Sequence, residues 1–348
     1  AGMVLLGKLN MHEWALGVIN DNAHYGAARN PWDSTRSPGG SSGGSGAALA
    51  AGLCMGSLGS DTRGSIRIPA SLCGIVGLKP TYGRVSLRGV VPLSWTLDHA
   101  GPMARTVRDA ALLMQAIAAY DPFDPGCVDH PVDDYLALED RPSGWRVAVL
   151  AGEFFDSAAE DVKTVFAMAL HDLEALGCTI DYVDFADMRA FWLESRIITS
   201  TDAAAIHQER LENASERFAP DVYERMRQGL TFTGVEYARA RRAQAELTRR
   251  LTALLTSYDL IVTPTTPVTA PTFETGAELD HARMYLSSFT APFNMAGLPA
   301  ISLPCGFTTR GLPVGLQIAG AHWAERRVLQ AAYAYEQATT WHTRRPGL

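Results

Sequence analysis

The spacing of apolar residues predicts alternating strands and helices. Apolar side chains recur every three or four positions through residues 159–176, which predicts a helix that ends at Gly177. Short apolar runs at 145–150 and 178–183 flank this segment and predict strands. Because strand, helix, strand is the order of an α/β fold, we expect one large domain with a central mixed β-sheet covered by helices on both faces.

Further elements follow from the same rules. Residues 4–8 predict a buried strand, and residues 260–262 predict a strand that runs into a proline-rich loop. The sequence from Thr106 to Asp109 predicts a capping box for a helix reaching about residue 120. Residues 236–255 predict a long helix. We expect the arginines of this helix to form a solvated face: Arg239, Arg241, Arg242, Arg249 and Arg250.

Two glycine-rich segments stand close together in the first third of the chain. Every residue from Gly39 to Gly46 is glycine or serine, a composition typical of flexible linkers. However, small apolar residues at 47–56 follow at once and predict a buried helix, and a second turn-rich segment covers 59–69. Because glycines beside an apolar helix allow close approach of backbones, we interpret the pair as a built site.

Composition and charge narrow the classes of function. The 348 residues include 30 Lys and Arg against 37 Asp and Glu, a net charge of −7, which argues against nucleic acid or an anionic membrane as partner. No apolar run approaches the roughly 18 residues of a membrane span. The five cysteines contain no C-x-x-C pair, which favours buried thiols in the cytoplasm. The nine histidines contain no H-x-x-x-H pair, and we expect neither metal nor cofactor.

Several known chemistries fit the glycine-rich segments poorly. No G-K-[ST] follows the glycines, as a phosphate loop requires, and no strand precedes them, as a dinucleotide fingerprint requires. Residues 39–43 match the G-x-S-x-G elbow of α/β-hydrolases, but a loop stands where the elbow needs a strand. An S-x-x-K pair is absent, because Leu5, Val76 and Glu160 precede the three lysines by three positions.

Taken together, the ordered blocks of the chain resemble the amidase signature family. The matching blocks are Gly7-Lys8-Leu9-Asn10, Asn30-Pro31-Trp32-Asp33, residues 39–48, residues 59–86, Leu97-Asp98-His99-Ala100-Gly101-Pro102, Phe293-Asn294-Met295-Ala296-Gly297-Leu298-Pro299 and residues 311–317. The resemblance implies one amidase signature domain over 1–348. Within it we expect a signature core at 1–120, a variable substrate-pocket region at 121–257, and the C-terminal part of the same sheet at 258–348.

The resemblance also implies the chemistry and its residues. Ser65 is the implied nucleophile, which would hydrolyse a carboxylic acid amide to an acid and ammonia or an amine through an acyl-enzyme. Ser41 is the implied middle serine and proton relay, whose peptide bond is cis in the family. Backbone N–H groups of Thr62, Arg63, Gly64 and Ser65 are the implied oxyanion hole. Arg63 replaces a common glycine, so its side chain must turn away and can narrow or charge the mouth of the site.

The third member of the family's Ser-Ser-Lys triad has no match in this sequence. Lysine occurs only at Lys8, Lys79 and Lys163. The first two lie in blocks that look structural, and the third falls on the exposed face of a predicted helix. In the family the lysine precedes the paired-serine loop by more residues than stand here, and the chain begins without methionine. We therefore expect an N-terminally incomplete protein that is nearly inactive alone.

Two alternatives to a free-standing amidase stay open. The first is the glutaminase component of a tRNA-dependent amidotransferase, although residues 281–290 lack the aspartate that holds the amino group of glutamine in those proteins. The second is a degenerate, non-catalytic homologue. In every case the expected ligand is a small-molecule amide, with neither nucleic acid nor membrane as partner, and a homodimer is left open.

Overall fold

A single mixed sheet of eight strands organises the chain, whose computed structural model describes residues 2–140 and 142–347. The strands are β1 (Gly56–Ser60), β2 (Val76–Lys79), β3 (Ala100–Ala104), β4 (Arg146–Ala151), β5 (Thr179–Asp184), β6 (Leu260–Pro264), β7 (Ala300–Phe307) and β8 (Pro313–Ala319). Their order is β1-β3-β2-β7-β8-β6-β4-β5. Strand β4 pairs in parallel with β5 and β6, and the other neighbours are antiparallel. The predicted α/β fold with one mixed sheet is confirmed.

Eleven α-helices in the described residues surround this sheet. They are α1 (Gly43–Ala50), α2 (Arg67–Cys73), α3 (Val107–Ile117), α4 (Glu153–Asp156), α5 (Glu160–Ala175), α6 (Met188–Asn213), α7 (Pro220–Arg227), α8 (Gly234–Leu254), α9 (Ala277–Tyr285), α10 (Ala291–Met295) and α11 (Glu325–Ala338). Over residues 2–140 and 142–347, no helix combines the length and apolar character needed to cross a bilayer.

The elements predicted from strong local signals are confirmed. The hydroxyl of Thr106 accepts a hydrogen bond from the N–H of Asp109 and begins α3, as the capping box predicts. The helix predicted at 159–176 is α5, and Gly177 follows it with φ +93°. The flanking predictions correspond to β4 and β5.

The buried strand predicted at residues 4–8 is wrong. These residues have no regular secondary structure, and the side chains of Val4 and Leu5 are 82% and 90% exposed. An apolar run becomes a strand only where another strand supplies hydrogen bonds and a core covers one face. No strand in the described part of the chain pairs with this segment.

The glycine and serine run is a buried part of the domain. Residues 39–46 are buried throughout and therefore do not form the flexible linker that their composition alone would indicate. Helix α1 already begins at Gly43 instead of at the predicted residue 47. The helix also ends at Ala50, before the predicted end at residue 56. Close packing explains why glycine is needed in this run, because a Cβ added at Gly40 would lie only 2.7 Å from the carbonyl oxygen of Gly17. The segment before the run therefore packs directly against its backbone.

The prediction that all five arginines of helix α8 form a solvated face is only partly correct. Arg239, Arg242 and Arg249 are exposed, but Arg241 and Arg250 are only partly exposed. Nη1 of Arg250 donates to Oδ2 of Asp187 at 3.0 Å. Because α8 packs against both α6 and α10, it buries a wider face than the spacing of its apolar residues indicates.

Candidate active site

Two loops bring the predicted serines into one region. Ser65 lies in the turn between β1 and α2 and is 7% exposed. Ser41 lies two residues before the start of α1, is fully buried, and follows a cis peptide bond with Gly40. The N–H of Ser42 donates to the carbonyl oxygen of Ser65 at 3.2 Å. A direct backbone hydrogen bond therefore joins the two loops.

The hydroxyl of Ser41 has no hydrogen-bond partner in residues 2–140 and 142–347. Its carbonyl oxygen accepts from the N–H of His12 at 3.0 Å. Burial first, and then the charge of Arg225, lowers the pKa of His12 to about 4. The imidazole beside this loop is therefore neutral near pH 7, because its pKa lies far below that pH.

None of the three lysines forms a hydrogen bond with either serine in the described residues. Nζ of the buried Lys79 donates to the carbonyl oxygens of Leu298 at 2.5 Å and Pro80 at 3.0 Å. Burial and the charge of Arg67 hold the pKa of Lys79 well below its ordinary value. Lys8 is exposed, and Lys163 pairs with Glu160 on α5.

Asp61 holds the turn that carries Ser65. Its Oδ1 accepts from the N–H of Gly64 at 2.7 Å, and its Oδ2 accepts from the N–H of Ile66 at 3.2 Å. The guanidinium of Arg67 donates to both carboxylate oxygens at 3.0 Å. Burial alone would raise the pKa of Asp61, but the charge and hydrogen bonds of Arg67 hold it well below its usual range. The carboxylate therefore stays ionised and fixes the turn.

Distant parts of the chain complete this buried network. Nη1 of Arg67 donates to Oε1 of Gln317 at 2.7 Å and to the carbonyl oxygen of Thr290 at 3.0 Å. Nη2 of Arg67 donates to Oδ1 of Asn294 at 2.6 Å, and Nδ2 of Asn294 donates to Oδ1 of Asp61 at 2.8 Å. Every hydrogen bond here includes a buried group, so losing one leaves a polar atom unsatisfied.

The predicted oxyanion donors divide into two groups. The N–H of Gly64 is occupied by Asp61, whereas those of Thr62, Arg63 and Ser65 form no hydrogen bond in the described part of the chain. Gly64 has φ +132°, and a Cβ there would overlap the hydroxyl of Thr290. That hydroxyl donates to the carbonyl oxygen of Arg63 at 2.6 Å. Three backbone N–H groups of this turn are therefore free. Hydrogen bonds to Asp61 and from Thr290 hold the turn in place.

A second acidic network supports Thr62. Its hydroxyl donates to Oδ1 of Asp98 at 2.5 Å, and Oδ2 of Asp98 accepts from the N–H groups of Leu93 and Ser94. The hydroxyl of Ser94 continues to Asp202 at 2.5 Å. Burial raises the pKa of Asp98, since removal from water disfavours its ionised form.

The side chain of Arg63 turns toward α6, where the charges of two other arginines act on it. Nε of Arg63 donates to the hydroxyl of Ser195 at 3.1 Å, while Nη2 is buried without a partner in the described residues. Burial, followed by the charges of Arg196 and Arg225, lowers the pKa of Arg63. The group nevertheless keeps its charge at neutral pH. We call Arg63, Arg196 and Arg225 the arginine cluster.

The sequence could not identify several residues of this site. Asp61, Arg67 and Asn294 fall inside the quoted blocks, but nothing in the sequence pairs them, because Asn294 lies more than 200 positions from the other two. Ser195 lies in the variable region, where no motif marks it. Over the described residues, no three His, Cys, Asp or Glu side chains are grouped to hold a metal ion.

Comparison of the chain with known proteins identifies its family. The family model described as Amidase matches residues 1–329. A glutamyl-tRNA(Gln) amidotransferase subunit of Moorella thermoacetica is 42% identical over all of this chain and 76% of its own length. Seven further curated relatives, 39% to 41% identical to this chain, carry the same protein name.

Solved structures agree with this placement. An inhibitor-bound chain from a vestigial protein complex, linked to the origins of an s-triazine catabolic enzyme, is 37% identical with a TM-score of 0.91. That match covers 97% of this chain and 74% of the other. A substrate complex of 6-aminohexanoate cyclic dimer hydrolase is 32% identical with a TM-score of 0.89, covering 100% and 77%. The chain therefore belongs to the amidase family.

Proposed function

We propose that the protein hydrolyses carboxylic acid amides through an acyl-enzyme on Ser65. The observation that carries this proposal is the anchored turn, which places Ser65 beside the free N–H groups of Thr62 and Arg63. Such donors stabilise the negative charge that develops on the carbonyl oxygen during attack. The buried ion pair of Asp61 and Arg67 then has a role in the chemistry, because it holds these donors in place.

The proposed reaction has two stages. Oγ of Ser65 attacks the amide carbon, the C–N bond breaks, and ammonia or an amine leaves with the proton from the serine. Water then attacks the ester, which releases the acid and restores the hydroxyl. We assign the proton relay to Ser41, whose buried hydroxyl has no other partner in the described residues. Lys8, Lys79 and Lys163 are not assigned as the base, because their positions and partners lie elsewhere.

The arginine cluster favours substrates that carry a carboxylate in addition to the amide. Three guanidinium groups close to one another repel, and a bound anion relieves that repulsion. Arg225 has Asp221 in its neighbourhood, but Nη2 of Arg63 lacks a partner in the described part of the chain. We therefore propose a carboxylate-bearing amide as the substrate class.

Glutamine is the first member of this class to test. The curated relatives are named as amidotransferase subunits, which favours the second candidate, a glutaminase that works with partner proteins. Against it, Ser287 and Ser288 stand in the segment where the resemblance expects an aspartate for the amino group. Glutamine-dependent ammonia release by a complex purified with a partner protein would support the second candidate. Release from amides without an amino group would support the first.

Covalent labelling tests the chemistry separately from the substrate. A serine-directed fluorophosphonate should label the full-length protein, including the segment that supplies the lysine base, once, at Ser65, and Ser65→Ala should abolish labelling. Ser71→Ala is the matched control, because Ser71 is buried on α2 and lies outside the turn. Absence of labelling in folded, full-length wild-type protein that includes the segment supplying the lysine base would overturn the proposal and support the degenerate homologue instead.

A further inference from the structure

One face of helix α6 is linked to two consecutive residues of the turn between β1 and α2. Three buried side chains of the helix, Ser195, Thr199 and Asp202, follow one another at intervals of four and three positions and therefore share that face. Ser195 accepts the hydrogen bond from Nε of Arg63 at 3.1 Å. Asp202 is linked to the preceding residue of the turn, Thr62, through two further residues. Both residues carry N–H groups proposed as oxyanion donors.

A chain of hydrogen bonds joins Asp202 to Thr62. The hydroxyl of Ser94 donates to Oδ2 of Asp202 at 2.5 Å, and the N–H of Ser94 donates to Oδ2 of Asp98 at 3.0 Å. Oδ1 of Asp98 accepts from the hydroxyl of Thr62 at 2.5 Å. At the other end, the hydroxyl of Tyr237 on α8 donates to Oδ1 of Asp202 at 2.8 Å. The chain therefore runs from α8 through α6 to the turn.

The two carboxylates of this chain are held by neutral donors. Hydroxyl and backbone N–H groups supply every hydrogen bond that Asp98 and Asp202 accept within the described residues. Both residues are buried, so water does not replace a donor that is lost. Burial raises the pKa of Asp98, and the charge of Asp202 raises it further. A change at Asp202 is therefore transmitted to Asp98 by charge and through Ser94, which donates to both.

We propose that Asp202 is a positioning residue for the oxyanion donor of Thr62, an inference that rests on the hydrolysis proposed above. Asp202 orients Ser94, Ser94 orients Asp98, and the carboxylate of Asp98 holds the hydroxyl of Thr62. Because the hydroxyl and the N–H of Thr62 belong to one residue, a fixed side chain limits the rotation of the backbone that aims the N–H. Helix α6 thereby takes part in the alignment of the site without contacting the reacting atoms.

This role predicts an effect on the rate of acylation instead of on affinity. Oxyanion donors stabilise the charge that develops on the carbonyl oxygen during attack. An interaction that strengthens only in the transition state accelerates the chemical step and contributes little to the binding of the substrate. Displacement of the Thr62 N–H should therefore slow the covalent step and leave the preceding binding step unchanged.

Fluorophosphonate labelling of the full-length protein measures the two steps separately, as kinact and KI. We expect Asp202→Asn to lower kinact about tenfold and to keep KI within about twofold, since removing an oxyanion donor outright costs roughly a hundredfold or more. Tyr237→Phe removes the donor to Oδ1 of Asp202 and keeps the ring, so it should lower kinact by a smaller factor. Glu209→Gln is the matched control, because Glu209 is exposed on the same helix.

Two results of the labelling would overturn the proposal. A kinact of Asp202→Asn equal to that of Glu209→Gln would mean that the chain of hydrogen bonds does not position the donor. A smaller labelled fraction with unchanged kinact would mean that Asp202 only stabilises the fold, because misfolded molecules lower the amount of label and not its rate constant.

Hydrogen–deuterium exchange provides a readout that does not depend on the reaction. The peptide that covers residues 61–66 should exchange faster in Asp202→Asn than in Glu209→Gln, because its turn is held less firmly. Equal exchange in the two variants would overturn the proposal. Should wild-type protein not be labelled at all, the proposed hydrolysis fails, and the exchange of this peptide alone decides whether Asp202 positions the turn.

Discussion

Arg67 and Asp61 form a fully buried ion pair, with Nη2 of Arg67 lying 3.0 Å from Oδ1 of Asp61. The same carboxylate accepts backbone N–H groups of the turn, and the same guanidinium reaches Gln317 on β8. The pair therefore links the conformation of the catalytic turn to the central sheet. Breaking it affects both stability and the geometry around Ser65.

Asp61→Asn should destabilise the fold and stop labelling of Ser65. The variant leaves the buried charge of Arg67 uncompensated and directs an amide toward N–H donors, which together cost about 3–5 kcal/mol. Urea denaturation measures the free energy of unfolding. Glu224→Gln is the control, because Glu224 forms an exposed pair with Arg227 and its loss should leave stability unchanged. Equal stability of Asp61→Asn and wild type would contradict the role given to this pair.

Thr290→Val should slow acylation while the protein stays folded. The hydroxyl of Thr290 holds the carbonyl oxygen of Arg63, and losing a buried hydrogen bond of this kind costs about 1–1.5 kcal/mol, roughly tenfold in rate. The rate of fluorophosphonate labelling measures the effect. Thr290→Ser keeps the hydroxyl and should restore most of the rate. Similar rates in the valine and serine variants would show that the hydroxyl does not position the turn.

Arg225→Gln should discriminate between two classes of amide. A charge-assisted contact contributes about 1.5–3 kcal/mol, so kcat/KM for a carboxylate-bearing amide should fall tenfold or more. A neutral amide of the same length should react within about twofold of the wild-type rate, since it makes no such contact. Arg227→Gln, an exposed neighbour on α7, is the matched control. An equal loss for both substrates would argue against anion recognition by the arginine cluster.

Patterns among neighbouring residues predicted much of the fold. They did not predict which residues far apart in the chain contact each other. The capping box at Thr106 and the periodicity of α5 depend on neighbours within one or two helical turns, and both are confirmed. Arg63 contacts Ser195, which is 132 positions away, and no periodicity encodes such a contact. Residues 4–8 carry the composition of a strand, yet composition does not supply a pairing partner.

The polar residues of the site show the same limit, because their hydrogen-bond partners cannot be predicted from the sequence. The resemblance identified Ser65 and Ser41, and their assigned roles stay predictions. A sequence does not reveal that the N–H of Gly64 is already bonded to Asp61, because that depends on the path of the turn. Nor does it separate Arg241 from its solvated neighbours, since the extra buried face of α8 arises from packing against α6 and α10.

Glu336 should make the stability of the protein depend on pH. Its buried carboxylate accepts the N–H of Val107 at the start of α3 at 2.8 Å. Burial raises the pKa of Glu336 to about 7 from an ordinary value of 4.5, despite that hydrogen bond. The folded protein therefore keeps the proton over a range in which the unfolded chain releases it. Stability is accordingly lost as pH rises from about 4.5 to 7, and no further change is expected above that range.

Glu336→Gln removes this titration and keeps a carbonyl oxygen for Val107. The variant should match wild type near pH 4.5 and exceed it at pH 8 by on the order of 3 kcal/mol, from about 1.4 kcal/mol per pKa unit. Urea denaturation at both pH values gives the difference in free energy of unfolding. Glu139→Gln, an exposed substitution, should follow wild type throughout. A constant difference between Glu336→Gln and wild type at the two pH values would mean that Glu336 does not titrate there, because only a titrating group makes the difference vary with pH.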